Sequence, residues 1–276
     1  MEILVCLEGS ASTARAVDVA MALARALPAT LVGLAIVDEP DIVAGAATSI
    51  GGASFRKQRD AALLEDAHGQ AVAWLAAFVA RGRAAGISVR ALELAGRPAE
   101  RILEQVPSHD LVVLGRDVNF RFETQETDRY TRDRILRRAG KPVIVVPETP
   151  APAGAAAMIA YDGSPAATRA LSSFARCGLA RDRDVHVATV DDDGATAFEI
   201  ATRGCQLLGK LGVRAVPENV VSTESTTRAL LARCAALGAG WIVLGGYVPS
   251  PLARLVWGSV THDLLEHTAV PVFLHY

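Results

Sequence analysis

One plan of segments occurs twice along the 276 residues. Such a repeat constrains a fold more tightly than composition does, because both copies must bury the same faces in the same way. Ile3-Leu-Val-Cys-Leu-Glu-Gly-Ser10 opens the first copy and Met158-Ile-Ala-Tyr-Asp-Gly-Ser164 the second. Each is a short apolar run, an acidic-Gly-Ser turn and then a helical pattern. The copies also close alike. Leu111-Val-Val-Leu-Gly115 leads to Lys141-Pro-Val-Ile-Val-Val-Pro147, and Trp241-Ile-Val-Leu-Gly245 leads to Val270-Pro-Val-Phe-Leu-His275. Between them Glu148-Thr-Pro-Ala-Pro-Ala-Gly-Ala155 has the Pro/Ala/Gly content of a linker. The reading is therefore a domain over 1–147, a linker over 148–155 and a second domain over 156–276.

Within each copy, apolar runs of strand length alternate with longer helical patterns, the signature of β-α units building a parallel sheet. Strands are expected near 2–7, 30–37, 89–94, 111–115 and 143–147, then near 157–161, 184–190, 215–220, 241–245 and 271–275. Helices are expected over 11–27, 58–84, 98–106 and 127–139, then over 165–178, 195–211, 223–237 and 252–267. Unbroken runs such as Leu111–Leu114 suit strands covered on both faces. The expected fold is α/β: two tandem open α/β sandwiches, each a five-stranded parallel sheet with helices on both faces. Such sheets bind ligands beyond the carboxyl ends of their strands.

Composition removes several classes. With 51% hydrophobic and 21% charged residues the chain can bury a core. The 28 basic and 30 acidic side chains leave a net charge of -2, so neither a nucleic-acid nor a membrane surface is indicated. Residues 234–253 carry no charge, but Gly238, Gly240, Gly245, Gly246, Pro249 and Pro251 interrupt them. Met1–Glu8 lacks a basic stretch ahead of its apolar residues and reads as a first strand, and the chain as a cytoplasmic protein. Cys6, Cys177, Cys205 and Cys234 form no C-x-x-C and no cluster with His, which points to reduced, mostly buried thiols.

In order and in duplicate, these residues resemble the universal stress protein family in its tandem two-domain form. The carriers are the turns ending at Ser10 and Ser164, Gly96-Arg-Pro-Ala-Glu-Arg-Ile102, the closing Pro142–Val146, and Gly245 through Val260. The resemblance implies a stress-response protein, and many members bind ATP without an established catalytic role. In ATP-binding members the loop after the fourth strand reads G-x2-G-x9-G-[ST]. Gly245, Gly258 and Ser259 match it here, but Val248 stands at the second glycine, and Pro249 and Pro251 lack N–H groups. By this resemblance Asp162 contacts the base side of a nucleotide, the backbone at Val190 faces adenine, and Ser259 and Val260 lie near phosphate, with Mg²⁺ accompanying ATP. The bland alternatives are an Asx-type turn at Asp162 and the last core residue of a strand at Val190. Asp191-Asp-Asp193 reads as a solvated helix start rather than a metal site.

The first copy departs further. Gly115 is kept, but Arg116–Glu126 holds no glycine, Arg129-Tyr130 replace the Gly-Ser pair, and Glu8 replaces Asp. This domain reads as structural or as the site of a different ligand. Arg129, Arg132, Arg134, Arg137, Arg138 and Lys141 read as a solvated face, with Asp133 and Arg137 four apart. Residues 38–57, including Ser49-Ile-Gly-Gly-Ala-Ser54, read as an insertion, and His262 and His267, five apart, as structural. No G-x-S-x-G, H-E-x-x-H or Walker lysine loop is present. The leading expectation is a non-enzymatic stress-response binding or signalling protein with an adenine nucleotide in its second domain. The alternatives are a nucleotide-hydrolysing enzyme on the same fold and an interaction module without nucleotide. In this family the closing strands pair across domains or subunits, so intramolecular pairing, with or without a homodimer, is expected.

Overall fold

A computed structural model describes residues 1–44, 53–118, 120, 130–148, 156–223, 225–245 and 257–276. The chain divides into two compact units, Met1–Arg138 and Ala139–Tyr276.

The first unit runs β1 (Glu2–Leu7), α1 (Ala11–Ala26), β2 (Thr30–Val37), α2 (Glu39–Ala44), α3 (Ala53–Ala84), β3 (Val89–Ala95), α4 (Pro98–Gln105), β4 (Leu111–Gly115) and α5 (Tyr130–Arg138). Its strands lie in the order β3-β2-β1-β4, all parallel. Every residue of β4 is buried, as its unbroken apolar run requires of a strand covered on both faces. Ser10 caps α1, its hydroxyl accepting the Thr13 N–H at 3.2 Å. The insertion over 38–57 supplies α2 and the beginning of α3; the Gly-rich stretch from Ser49 to Gly52 lies outside the described residues.

The second unit runs β5 (Val143–Val146), β6 (Ala156–Ala160), α6 (Pro165–Arg176), β7 (Val185–Asp191), α7 (Gly194–Lys210), β8 (Ala215–Val221), α8 (Thr226–Ala236), β9 (Ala239–Gly245), α9 (Trp257–His267) and β10 (Val272–His275). The strand order is β5-β10-β9-β6-β7-β8. All pairs are parallel except β5 with β10, which run antiparallel through Val145↔Val272, Ile144↔Phe273 and Val143↔Leu274. The strand that closes the first repeat, β5, lies in the second compact unit, which begins at Ala139. The expected α/β fold is present, its described strands mostly parallel, and the antiparallel pair joins the strands that close the two repeats. The reason is local: β5 and β10 are short apolar strands whose edges each need a partner. The linker itself, Glu148 apart, lies outside the described residues. Beneath β9 and β10, Phe174 meets Phe273 edge-on at 5.4 Å, and the Arg183 guanidinium lies 5.3 Å from the Trp241 ring centre.

Candidate functional site

The turn after β6 places the first candidate residue. Gly163, at φ +79°, lets the chain reverse sharply where a β-carbon would strain it. Asp162 then accepts the Ser164 N–H on Oδ1 at 3.0 Å, and Ser164 caps α6 by accepting the Ala167 N–H at 3.1 Å. The Asx-type turn foreseen at Asp162 is thus present, together with a capped helix after it. They also hold Asp162 at the rim of a cavity of about 260 Å³ beyond the carboxyl ends of β6, β7 and β9.

β7 runs past β6, and that overhang supplies the cavity's polar backbone. The last rung of their ladder is Ala160↔Ala188, and Tyr161 N–H donates to the Ala188 carbonyl at 2.9 Å. Backbone groups two residues on point the same way, so the N–H and C=O of Val190 are directed past the end of β6 into the cavity. The buried Thr189 hydroxyl donates to the Tyr161 carbonyl at 2.7 Å and ties the two strand ends together.

Gly245, at the end of β9, also lines the cavity, but its missing side chain has a packing reason. A β-carbon there would lie 2.4 Å from the Ala167 nitrogen and 2.7 Å from the Ala166 carbonyl carbon. The glycine admits the first turn of α6 against the strand. Gly115 does the same in the first unit, where a β-carbon would lie 2.8 Å from the Thr13 nitrogen.

Four of the six residues expected at the site, Asp162, Val190, Gly245 and Val260, line this one cavity. Gly258 and Ser259 belong to the first turn of α9. Val248, Pro249 and Pro251 lie outside the described residues. Thr226 and Leu230 of α8 and Thr261 of α9 complete the wall and were missed by sequence reasoning. Their available signal was position: a helix that follows a strand of a parallel sheet begins at the same carboxyl edge.

The corresponding turn of the first unit is closed. Glu8 is buried, and its Oε1 accepts the Thr13 hydroxyl at 2.5 Å as well as the Ser10 hydroxyl. Burial pushes its carboxyl above the usual range, opposed by those hydroxyl bonds. Trp74 of α3 covers the turn, its ring lying 2.8 Å from where a Gly9 β-carbon would be. Arg132, expected on a solvated face, is fully buried and donates to Asp133 Oδ1 at 3.1 Å and the Arg116 carbonyl at 3.1 Å. Arg134 donates to Glu100 at 3.2 Å. The basic run is therefore interior and paired in part, because α5 packs against α4 and turns some arginines inward. Arg129 lies outside the described residues.

Elsewhere the acidic and thiol groups have structural duties. Asp193 caps α7, accepting the Ala195 N–H at 3.1 Å and the Thr196 hydroxyl at 2.7 Å, and these bonds lower its carboxyl below the usual range. Asp191 accepts the Asp193 N–H at 2.9 Å. Burial pushes the Cys205 and Cys234 thiols up to about 11 and Cys6 higher still, which leaves them protonated at neutral pH. No helix among the described residues is long and apolar enough to cross a membrane.

The model of the universal stress protein family matches residues 1–147, more than half of the chain. The chain belongs to the universal stress protein family. Universal stress protein Slr1230 of Synechocystis is 26% identical over 165 residues, which cover 59% of this chain and 56% of that protein, so the match spans little more than half of the relative. A universal stress protein from Archaeoglobus fulgidus superposes with a TM-score of 0.66 at 16% identity, over 99% of this chain and 97% of that one. A functionally unknown protein from Pseudomonas aeruginosa PAO1 superposes with a TM-score of 0.55 at 13% identity, over 99% and 92% of the two chains. At these identities the solved structures speak to the fold, which they share with this universal stress protein.

Proposed function

We propose that this universal stress protein is a non-enzymatic, cytoplasmic stress-response binding or signalling protein whose second unit takes an adenine nucleotide, with Mg²⁺ when the ligand is ATP. The observation that carries the reading is the overhang of β7, which leaves the N–H and C=O of Val190 facing a cavity that Asp162 also lines. A donor and an acceptor on one strand residue match the acceptor and donor on the edge of adenine. The apolar walls from Ala188, Leu230 and Leu244 suit the faces of the ring, and Asp162 offers a carboxylate to a sugar hydroxyl or the base. The first turn of α9, with Ser259 and Val260, supports an anion near the other end. The free cysteines accord with a reducing compartment.

Native mass spectrometry and calorimetric titration with ATP and Mg²⁺ test this. One nucleotide per chain is expected, with binding lost on Gly258→Val and weakened about tenfold by Asp162→Ala, the worth of one charge-assisted hydrogen bond. No binding at millimolar ATP would reject the reading in favour of an interaction module. Turnover abolished by Asp162→Ala would reject it in favour of a hydrolase.

A further inference from the structure

Away from that cavity, the second unit gathers a set of donors that neither the fold nor the nucleotide reading uses. Ser173, in the third turn of α6, places its hydroxyl 2.6 Å from Nδ1 of His275 on β10. The backbone at Gly140, ahead of β5, favours the protonated form of the same imidazole. Two cations stand beside this pair. Arg169 is four residues before Ser173, hence on the same face of α6, and Lys141 follows Gly140 directly. Both act on His275, and together with burial they make its ring harder to protonate. Neither has an ion-pair partner among the described residues. The strand residue beside His275 in β9 is Gly245, which brings no charge. Ser173, His275, Arg169 and Lys141 do not line the cavity.

We propose that Ser173, His275, Arg169 and Lys141 form a second binding site, for a small dianionic oxyanion of the phosphate class. Two cations without an ion-pair partner among the described residues, a rotatable hydroxyl and an imidazole that can become a donor are the parts such an ion needs. In the empty site the neutral imidazole accepts the Ser173 O–H through Nδ1. With the anion between Arg169 and Lys141, the charge that discourages protonation is offset, and the ring takes one proton from solvent. Its Nδ1–H then donates to Ser173 Oγ, which frees the hydroxyl proton to turn toward the anion. The hydrogen bond between serine and histidine reverses direction, and no covalent bond is made or broken.

The test is a nuclear magnetic resonance titration of the full chain, labelled in histidine, with inorganic phosphate and with phenyl phosphate against sodium chloride at matched ionic strength. Inorganic phosphate is expected to move the His275 ring signals saturably, with Nδ1 changing from an acceptor nitrogen to a protonated one, while chloride leaves them in place. Saturation by phenyl phosphate as well assigns the site to phosphate carried on a larger molecule; saturation by inorganic phosphate alone assigns it to the free ion. Arg169→Gln and Lys141→Gln should each weaken binding about three- to tenfold, and Ser173→Ala should weaken it while leaving the ring free to protonate. A response that is linear, equal with chloride, or unchanged when both cations are replaced overturns the proposal. Asp162→Ala should not alter it, so its failure is separate from that of nucleotide binding.

Discussion

Gly245 and Gly115 show how one atom decides a packing distance. Each sits where the last strand residue meets the first turn of a capped helix, and each would put a β-carbon inside the contact radius of helix backbone. Backbone cannot rotate away as a side-chain tip can. Gly245→Ala is therefore expected to destabilise the second unit by about 1–3 kcal/mol, as overpacking does, and Gly115→Ala the first unit similarly. Urea denaturation of the two variants followed by fluorescence would show it, with an unchanged midpoint counting against the close approach. Glu8 makes a different residue-scale prediction. Its folded carboxyl holds a proton to higher pH than in the unfolded chain. The folded state thus binds more protons between the ordinary carboxyl range and the raised one, and stability falls as pH rises through that window. Glu8→Gln keeps an acceptor for Ser10 and Thr13 and removes the charge. Its stability relative to the parent chain should be near equal at pH 4 and increasingly favourable toward pH 7, read from melting temperatures across that range.

At the scale of elements, α1 and α6 begin alike because a serine two residues after the acidic residue of the turn caps each. Ser164→Ala should cost about 1 kcal/mol, the worth of an N-cap, and restoring Thr or Asp at that position should recover most of it. The same turns diverge in use. Asp162 stays at the rim of an open cavity, whereas Glu8, one methylene longer, folds back onto the hydroxyls of Ser10 and Thr13 and is roofed by Trp74. The departure of Glu8 from the repeat was visible in the sequence. Its consequence was not, because Trp74 lies sixty-six residues away on α3 and reaches the turn only through the packing of that helix. Likewise the spacing of Asp133 and Arg137 suggested a solvated helix face, while the burial of Arg132 depends on where α4 lies.

For the whole molecule, the informative strand is β5. It closes the first repeat in sequence and pairs antiparallel with the strand that closes the second. Because Val143, Ile144, Val145 and Val146 are buried, a fragment over 139–276 should be distinctly more resistant to urea than one over 156–276, which leaves the outer edge of β10 unpaired. Equal midpoints for the two fragments would show that β5 adds nothing to this unit. Repeat number, the strand positions, the helices apart from α2, the acidic-Gly-Ser turns and the family were determined by the sequence itself, since periodicity and turn chemistry act over a few residues and are written in order along the chain. That Asp162, Val190, Gly245 and Val260 belong together was read from the likeness of their motif to the family, and the four line one cavity. The direction of the β5–β10 pairing, the reach of Val190 past β6, the packing role of Gly245 and the meeting of Ser173 with His275 were decided only by tertiary structure. Each depends on a distance between residues far apart in the chain, and local patterns of polarity do not encode such distances.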